Sequence, residues 1–168
     1  MNSINQVKRS KNGLNVTYVD DEGNDMTMKG VAPIHSDLAN AFASLLPYFA
    51  ILTEQKEAAA LDMTNPQSYA NIKMLDKLTI TGIRLTSTED GFKCCISGKR
   101  RTDDNKEYAF SAPAVDVGVM SSYVYAPELR TLVEDVLDEA DLYVTQRKTA
   151  TPEEQKKAPE TKAPFGDD

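Results

Sequence analysis

Tryptophan is absent from this 168-residue chain, histidine occurs once, and the only two cysteines are neighbours, Cys94 and Cys95. A disulfide scaffold is therefore excluded. Adjacent residues of a strand point to opposite faces and do not easily pair. Two reduced thiols are expected, one in the core and one on the other face, in a reducing compartment. A single histidine also leaves catalysis poorly supplied. His35-Ser36-Asp37 has the composition of a triad, but a triad is assembled in space, not along a chain. No CxxC or HxxxH spacing exists to complete a metal site. Nucleophile-elbow, Walker and dinucleotide-binding glycine patterns are all missing. A non-enzymatic protein with no cofactor and no metal is the expectation.

Long apolar runs are missing too. The most apolar region, Leu38 to Leu52, is interrupted by Asn40, Ser44 and Pro47, and falls short of the ~18 residues a membrane span needs. The first six residues, Met1-Asn2-Ser3-Ile4-Asn5-Gln6, contain no apolar signal core. A soluble cytoplasmic protein without a membrane partner is expected. Positive charge is scarce overall: 19 Lys and Arg face 26 Asp and Glu, a formal charge of −7. That excludes a polybasic arm but leaves room for a local patch, which is all that nucleic-acid binding requires.

What the chain does have is enough apolar material for a core, 40 % of residues, unlike a wholly disordered composition. Leu14 to Val19 and Met26 to Lys29 alternate around the polar turn Asp20 to Asp25, the pattern of a β-hairpin. Ser36 caps a helix with Asp37 in its first turn. Leu38, Phe42, Leu45, Phe49 and Leu52 form its apolar stripe, and Pro47 should kink or divide it. Lys77 to Thr86 is the clearest strand. Its apolar residues switch parity at Gly82, so a β-bulge is expected there. Thr88-Glu89-Asp90-Gly91 is a hairpin turn leading to a strand from Phe92 to Ser97. Glu107 to Ser111 and Val115 to Val119 read as two more strands. A final helix begins near Pro127, with Leu129, Leu132, Val133, Val136, Leu137, Ala140, Tyr143 and Val144 on one stripe. From Thr149 to Asp168 no apolar periodicity remains and Pro, Glu, Lys, Ala and Thr dominate. The expected organisation is one globular α+β domain over residues 1–148 and a disordered tail over 149–168. The domain should be an antiparallel five- or six-stranded sheet with two packed helices, its specific version an OB-like barrel.

The densest basic cluster is Lys93, Lys99, Arg100, Arg101 and Lys106, set among Phe92, Tyr108 and Phe110. Cations draw phosphate and exposed rings stack on bases, the two ingredients of a single-strand site. Phosphate contact is expected from those five cations, and stacking from Phe92 and Tyr108. Asp103, Asp104 and Glu107 lie in the same loop and dilute the field. The last helix carries Glu128, Glu134, Asp135, Asp138, Glu139 and Asp141 against a single Arg130, a face suited to a basic partner.

The chain's tip, Ala163-Pro164-Phe165-Gly166-Asp167-Asp168, puts one ring beside two carboxylates. A flexible tether ending this way can dock its ring in a partner's pocket. In layout it resembles bacterial and phage single-stranded-DNA-binding proteins, which join a compact β-rich domain to an acidic tip containing Pro-Phe. The order differs, since here Pro164 and Phe165 precede Asp167 and Asp168. The middle of the chain, Lys77 to Ile83, the Asp90-Gly91 turn, Ile96 to Lys99 and Phe110 to Pro113, is similar to uncharacterised small proteins of gut bacteriophages and prophages. The second resemblance implies a phage or mobile-element origin and no activity; the first implies a single-stranded-DNA-binding protein that recruits replication or recombination proteins through Pro164, Phe165, Asp167 and Asp168. The alternative is a protein-interaction module, such as a phage inhibitor of a host protein, that acts through its acidic surface.

Overall fold

A computed structural model describes residues 3–157. The chain is α+β, as expected. Seven strands, β1 (Ser3–Arg9), β2 (Leu14–Val19), β3 (Asp25–Gly30), β4 (Leu78–Thr88), β5 (Gly91–Arg101), β6 (Glu107–Ser111) and β7 (Val115–Asp116), accompany five α-helices. These are α1 (Ser36–Ala43), α2 (Leu46–Leu52), α3 (Tyr69–Met74), α4 (Ala126–Thr145) and α5 (Pro152–Lys157), with a 3-10 helix at Lys56–Ala60. The chain divides into two compact units. One is built from residues up to Ala41 and from Glu134 onward, the other from Phe42–Val133, so the division falls within α1 and within α4.

In the first unit β1, β2 and β3 form an antiparallel meander. Val7, Leu14 and Val16 are fully buried. The β2–β3 turn is tied by Asp20, whose carboxylate accepts from the backbone N–H of Glu22 at 2.9 Å and of Asn24 at 2.8 Å. Those bonds hold the Asp20 carboxyl below its ordinary range. Gly23 takes the left-handed conformation the turn requires, at φ 84°. The α4 residues Val136, Ala140 and Tyr143 are buried, which is the stripe read from the sequence. A Cβ at Gly30 would stand 2.6 Å from the Tyr143 ring.

The cap of α1 differs from expectation. The His35 ring fills the capping role given to Ser36: Nδ1 accepts the Asp37 N–H at 3.0 Å, which puts the ring proton on Nε2. Ser36 instead hydrogen-bonds the Glu154 carboxylate. Nor does ordered structure end at Lys148. Thr149 bridges Ile34, the Ala150 N–H donates to Pro33, and α5 follows. Its start is a capping box, with Thr151 N–H on Glu154 at 3.0 Å and Glu154 N–H on Thr151 Oγ at 3.2 Å. Lys148 joins Asp37 at 2.7 Å and Glu139 at 2.9 Å. A Thr-Pro-Glu-Glu run inside a polar stretch carries the capping-box spacing, and composition alone obscured it.

In the second unit Pro47 divides the helical stripe into α1 and α2 and sits in the first turn of α2, where its missing N–H costs nothing. The β4–β5 hairpin is antiparallel, with the register shift between Ile80 and Gly82, so the bulge falls where the parity switch placed it. β6 and β7 follow the opposite edge of β5. At Gly98 the fold closes tightly: a Cβ there would lie 2.6 Å from the Thr79 carbonyl oxygen and 2.7 Å from the Phe49 ring. The loop before α3 is organised by buried Asn71, whose amide donates to the carbonyls of Asp62, Asn65 and Pro66 and accepts the Asp62 N–H. Within each unit the strand pairings end on open edges, β3 in the first and β6 in the second. Neither set closes on itself, so the OB-like barrel is not formed. A barrel needs its last strand to return to its first, and these meanders do not bring it back.

Candidate nucleic-acid interface

Strand alternation sorts the second unit's sheet into two faces. Along β5, Cys94, Ile96, Gly98 and Arg100 are buried, while Gly91, Lys93 and Arg101 are exposed and Cys95, Ser97 and Lys99 are intermediate. Lys93, Cys95, Ser97, Lys99 and Arg101 therefore share the outer face. Register extends that face onto the neighbours. Arg84 stands opposite Cys95 and Thr86 opposite Lys93 on β4. Glu107 lies opposite Arg101, Ala109 opposite Lys99 and Ser111 opposite Ser97 on β6. Asp116 lies opposite Lys93 on β7.

The outer face thus carries Arg84, Lys93, Lys99 and Arg101 over a floor of small side chains. Ser97 Oγ and Ser111 Oγ are 2.8 Å apart in its middle. Cys95 Sγ donates to the Ala112 carbonyl at 3.3 Å. The carboxylates on this face are Glu107 and Asp116, and Asp116 accepts the Gly118 N–H at 2.8 Å. Same-face residues two apart on a strand are spaced ~7 Å, so Lys99 and Arg101 present adjacent positive charges along the outer face.

The structure does not bring all the residues of the sequence-based site to this face. Arg100 points inward and is 8 % exposed. Its guanidinium donates to Glu57 at 2.9 and 2.8 Å and to Gln55 at 3.0 Å. That fork holds the Glu57 carboxyl below its ordinary range. Phe92 and Tyr108 also belong to the inner face. Phe92 pairs in register with Ser87, two residues from buried Cys94. Tyr108 lies opposite Arg100 and stacks on Phe110 at 5.4 Å, which stacks on Phe49 at 5.1 Å. Tyr108 is 50 % exposed, but on the side away from Lys93, Lys99 and Arg101. Lys106 sits in the β5–β6 turn, 3.8 Å from Asp104, and Lys77 pairs with Asp103 in the same region. Pro164, Phe165, Asp167 and Asp168 lie outside the described residues. Arg84 is the cation that sequence clustering missed. It is nine positions before Lys93 in the chain, and only the hairpin register places it diagonal to Lys93.

Cys94 is buried, and burial pushes its thiol up to about 12. Among the described residues the buried Tyr123 hydroxyl has no hydrogen-bond partner, and it is likewise pushed up to about 12 by burial and by Tyr125 beside it. Among the described residues no cluster of three or more His, Cys, Asp or Glu could hold a metal ion, and no helix is long and apolar enough to cross a membrane. No family model matches the chain, and no curated protein or solved structure matches it.

Proposed function

We propose that this is a non-enzymatic, cytoplasmic protein that binds single-stranded nucleic acid along the outer face of β4, β5 and β6, as a replication or recombination accessory protein does. The observation that supports this reading is the row of Arg84, Lys93, Lys99 and Arg101 on one face of the sheet. Its small-residue floor lets a sugar-phosphate backbone lie close to the strands. Polyanion binding of this kind is electrostatic and releases counterions, so affinity falls with salt. Arg100 plays no part in it, because its donors are committed to Glu57 and Gln55.

Fluorescence anisotropy with a labelled ~30-nucleotide single strand, long enough to span more than one typical binding site, tests the reading at a series of salt concentrations. The expected result is binding whose log–log salt slope falls by about 1.4 in Lys99→Ala/Arg101→Ala, at ~0.7 per lost phosphate contact. Absence of binding at low salt overturns it.

A second reading rests on α4. Glu134, Asp135 and Asp138 are exposed there, and among the described residues none of them forms an ion pair, whereas Glu139 is paired with Lys148. That face suits a basic protein partner. A purified partner whose binding is lost on Asp135→Lys/Asp138→Lys, with nucleic-acid affinity absent in the wild type, would make this reading the better one.

A further inference from the structure

β6 is the last strand of the second unit's sheet, and among the described residues no strand pairs with it on the side away from β5. Its hydrogen bonds show which backbone groups are left over. Thr102 N–H donates to the Lys106 carbonyl at 2.7 Å and Ala112 N–H to the Ile96 carbonyl at 2.8 Å. Those bonds flank the Arg101–Glu107 and Ser97–Ser111 pairs. These two pairs, and Lys99–Ala109 midway between them, therefore exchange no bond across β5 and β6. The N–H and C=O groups of Glu107, Ala109 and Ser111 point off the sheet edge instead. The usual shields of an edge are missing: Glu107–Ser111 contains no Lys and no Pro, and its register with β5 runs without a shift. Glu107, Ala109 and Ser111 are exposed, and the Tyr108 ring on the inner face is half in water.

We propose that this edge pairs with the same edge of a second copy of the chain, β6 antiparallel to β6 about a two-fold axis through Ala109. Antiparallel strands bond residue to residue where both residues turn their N–H and C=O groups toward each other. Centring the pair on Ala109 meets that condition along the whole strand: Ala109 faces Ala109 of the second copy, and Glu107 faces Ser111 at each end. Each copy donates three hydrogen bonds and accepts three, six in all. The side chains suit the same register. Tyr108 falls opposite Phe110 of the second copy, in the closer-spaced kind of pair, where ring packs on ring. That extends the stack of Tyr108, Phe110 and Phe49. Glu107 faces a hydroxyl rather than a second carboxylate. Centring on Glu107 would oppose two like charges, and centring on Ser111 would set Ala109 against Pro113, which has no N–H. Residues directly opposite share a face, so the two outer faces join into one, with the two Lys99 positions three strand spacings, ~14 Å, apart. Pairing of this kind is independent of nucleic-acid binding. An edge of five residues is a small interface, below the ~1,200 Å² of stable complexes, so the dimer is weak and concentration-dependent.

Analytical ultracentrifugation of the full chain from ~10 µM to ~1 mM, the range in which small interfaces associate, tests the pairing. The wild type should rise toward twice the monomer mass. Ala109→Pro removes the central N–H, and Ala109→Lys sets like charges across the two-fold axis; each should weaken association by about tenfold or more. Ala109 is exposed and its N–H is not used by β5, so both variants should melt as the wild type does. Ala109→Glu alone should also stay monomeric. An equal mixture of the Lys and Glu variants should associate, because opposite charges then meet on the axis. A wild type that stays monomeric to ~1 mM overturns the pairing. So do Pro and Lys variants that associate like the wild type, and so does a Lys–Glu mixture that stays monomeric. A monomeric wild type that instead binds a synthetic peptide of the β6 sequence, Glu-Tyr-Ala-Phe-Ser, gives the edge to an extended peptide and overturns it as well.

Discussion

Arg100→Ala and Arg101→Ala, one residue apart on β5, should behave as different kinds of mutation. The Arg100 side chain is 10 % exposed and its partner Glu57 13 %, and three hydrogen bonds fix the guanidinium. Removing one member of a buried pair leaves the other charge uncompensated and costs about 3 kcal/mol. At ~2–4 °C per kcal/mol for a chain of this size, Arg100→Ala and Glu57→Ala should each melt about 6–12 °C lower. Replacing both partners with apolar residues, Arg100→Met with Glu57→Leu, should recover most of that loss, because no charge is left stranded. Arg101→Ala removes an exposed side chain and should stay within about 0.5 kcal/mol of wild type, while the salt slope of single-strand binding falls by ~0.7. pH supplies an independent arm. The Arg100 fork lowers the Glu57 carboxyl from its ordinary 4.5. Its contribution is therefore complete above that value and is lost as pH falls through the lower folded value. Urea melts of wild type and Glu57→Gln should differ at neutral pH and converge in acid. An Arg100→Ala loss under about 1 kcal/mol, or a gap that does not shrink as the pH is lowered through the acid range, would refute the claim that this pair is a buried, ionised prop of the sheet.

Two further outcomes follow from the same packing. Gly98→Ala puts a methyl 2.6 Å from the Thr79 carbonyl oxygen and 2.7 Å from the Phe49 ring, and overpacking of this kind should cost about 1–3 kcal/mol in a denaturant melt; a neutral result would mean that Phe49 can withdraw. Thiol titration of the native protein should label Cys95 alone, because Cys94 is buried and its thiol is raised to about 12. Cys94 should react only as the protein unfolds, and equal rates for the two would contradict the assigned faces.

Much of this architecture is legible in the chain because local rules decide it. The parity switch at Gly82 marks the bulge, Pro47 marks the helix break, and the α4 stripe marks the buried face. β1 is not legible: Ser3-Ile4-Asn5-Gln6-Val7-Lys8-Arg9 has only two apolar positions, and pairing with β2 rather than propensity makes it a strand. The site divides along the same line. Alternation within β5 already opposes Phe92 and Arg100 to Lys93, Lys99 and Arg101, so clustering by sequence proximity mixes two faces. The side taken by Tyr108 depends on its register with Arg100. The fate of Arg100 depends on Glu57, 43 residues earlier, and no local pattern announces that partner. Val119 reads as the end of a strand begun at Val115, but β7 stops at Asp116, and the chain beyond it is held instead by hydrogen bonds to Asp90.

The division of the chain bears on how it folds at the ribosome. The second unit, Phe42–Val133, is one uninterrupted stretch, whereas the first joins residues up to Ala41 to those from Glu134 onward. During synthesis the β1–β3 meander emerges before Phe42–Val133, yet it lacks Val136, Ala140, Tyr143 and the Lys148–Asp37 pair until that whole intervening stretch has been translated. The second unit can complete its hairpin while the meander waits with its apolar face uncovered. Pausing or truncation before residue 134 should therefore yield a folded middle carrying an unfinished N-terminal sheet, a species prone to capture by chaperones or by its own kind.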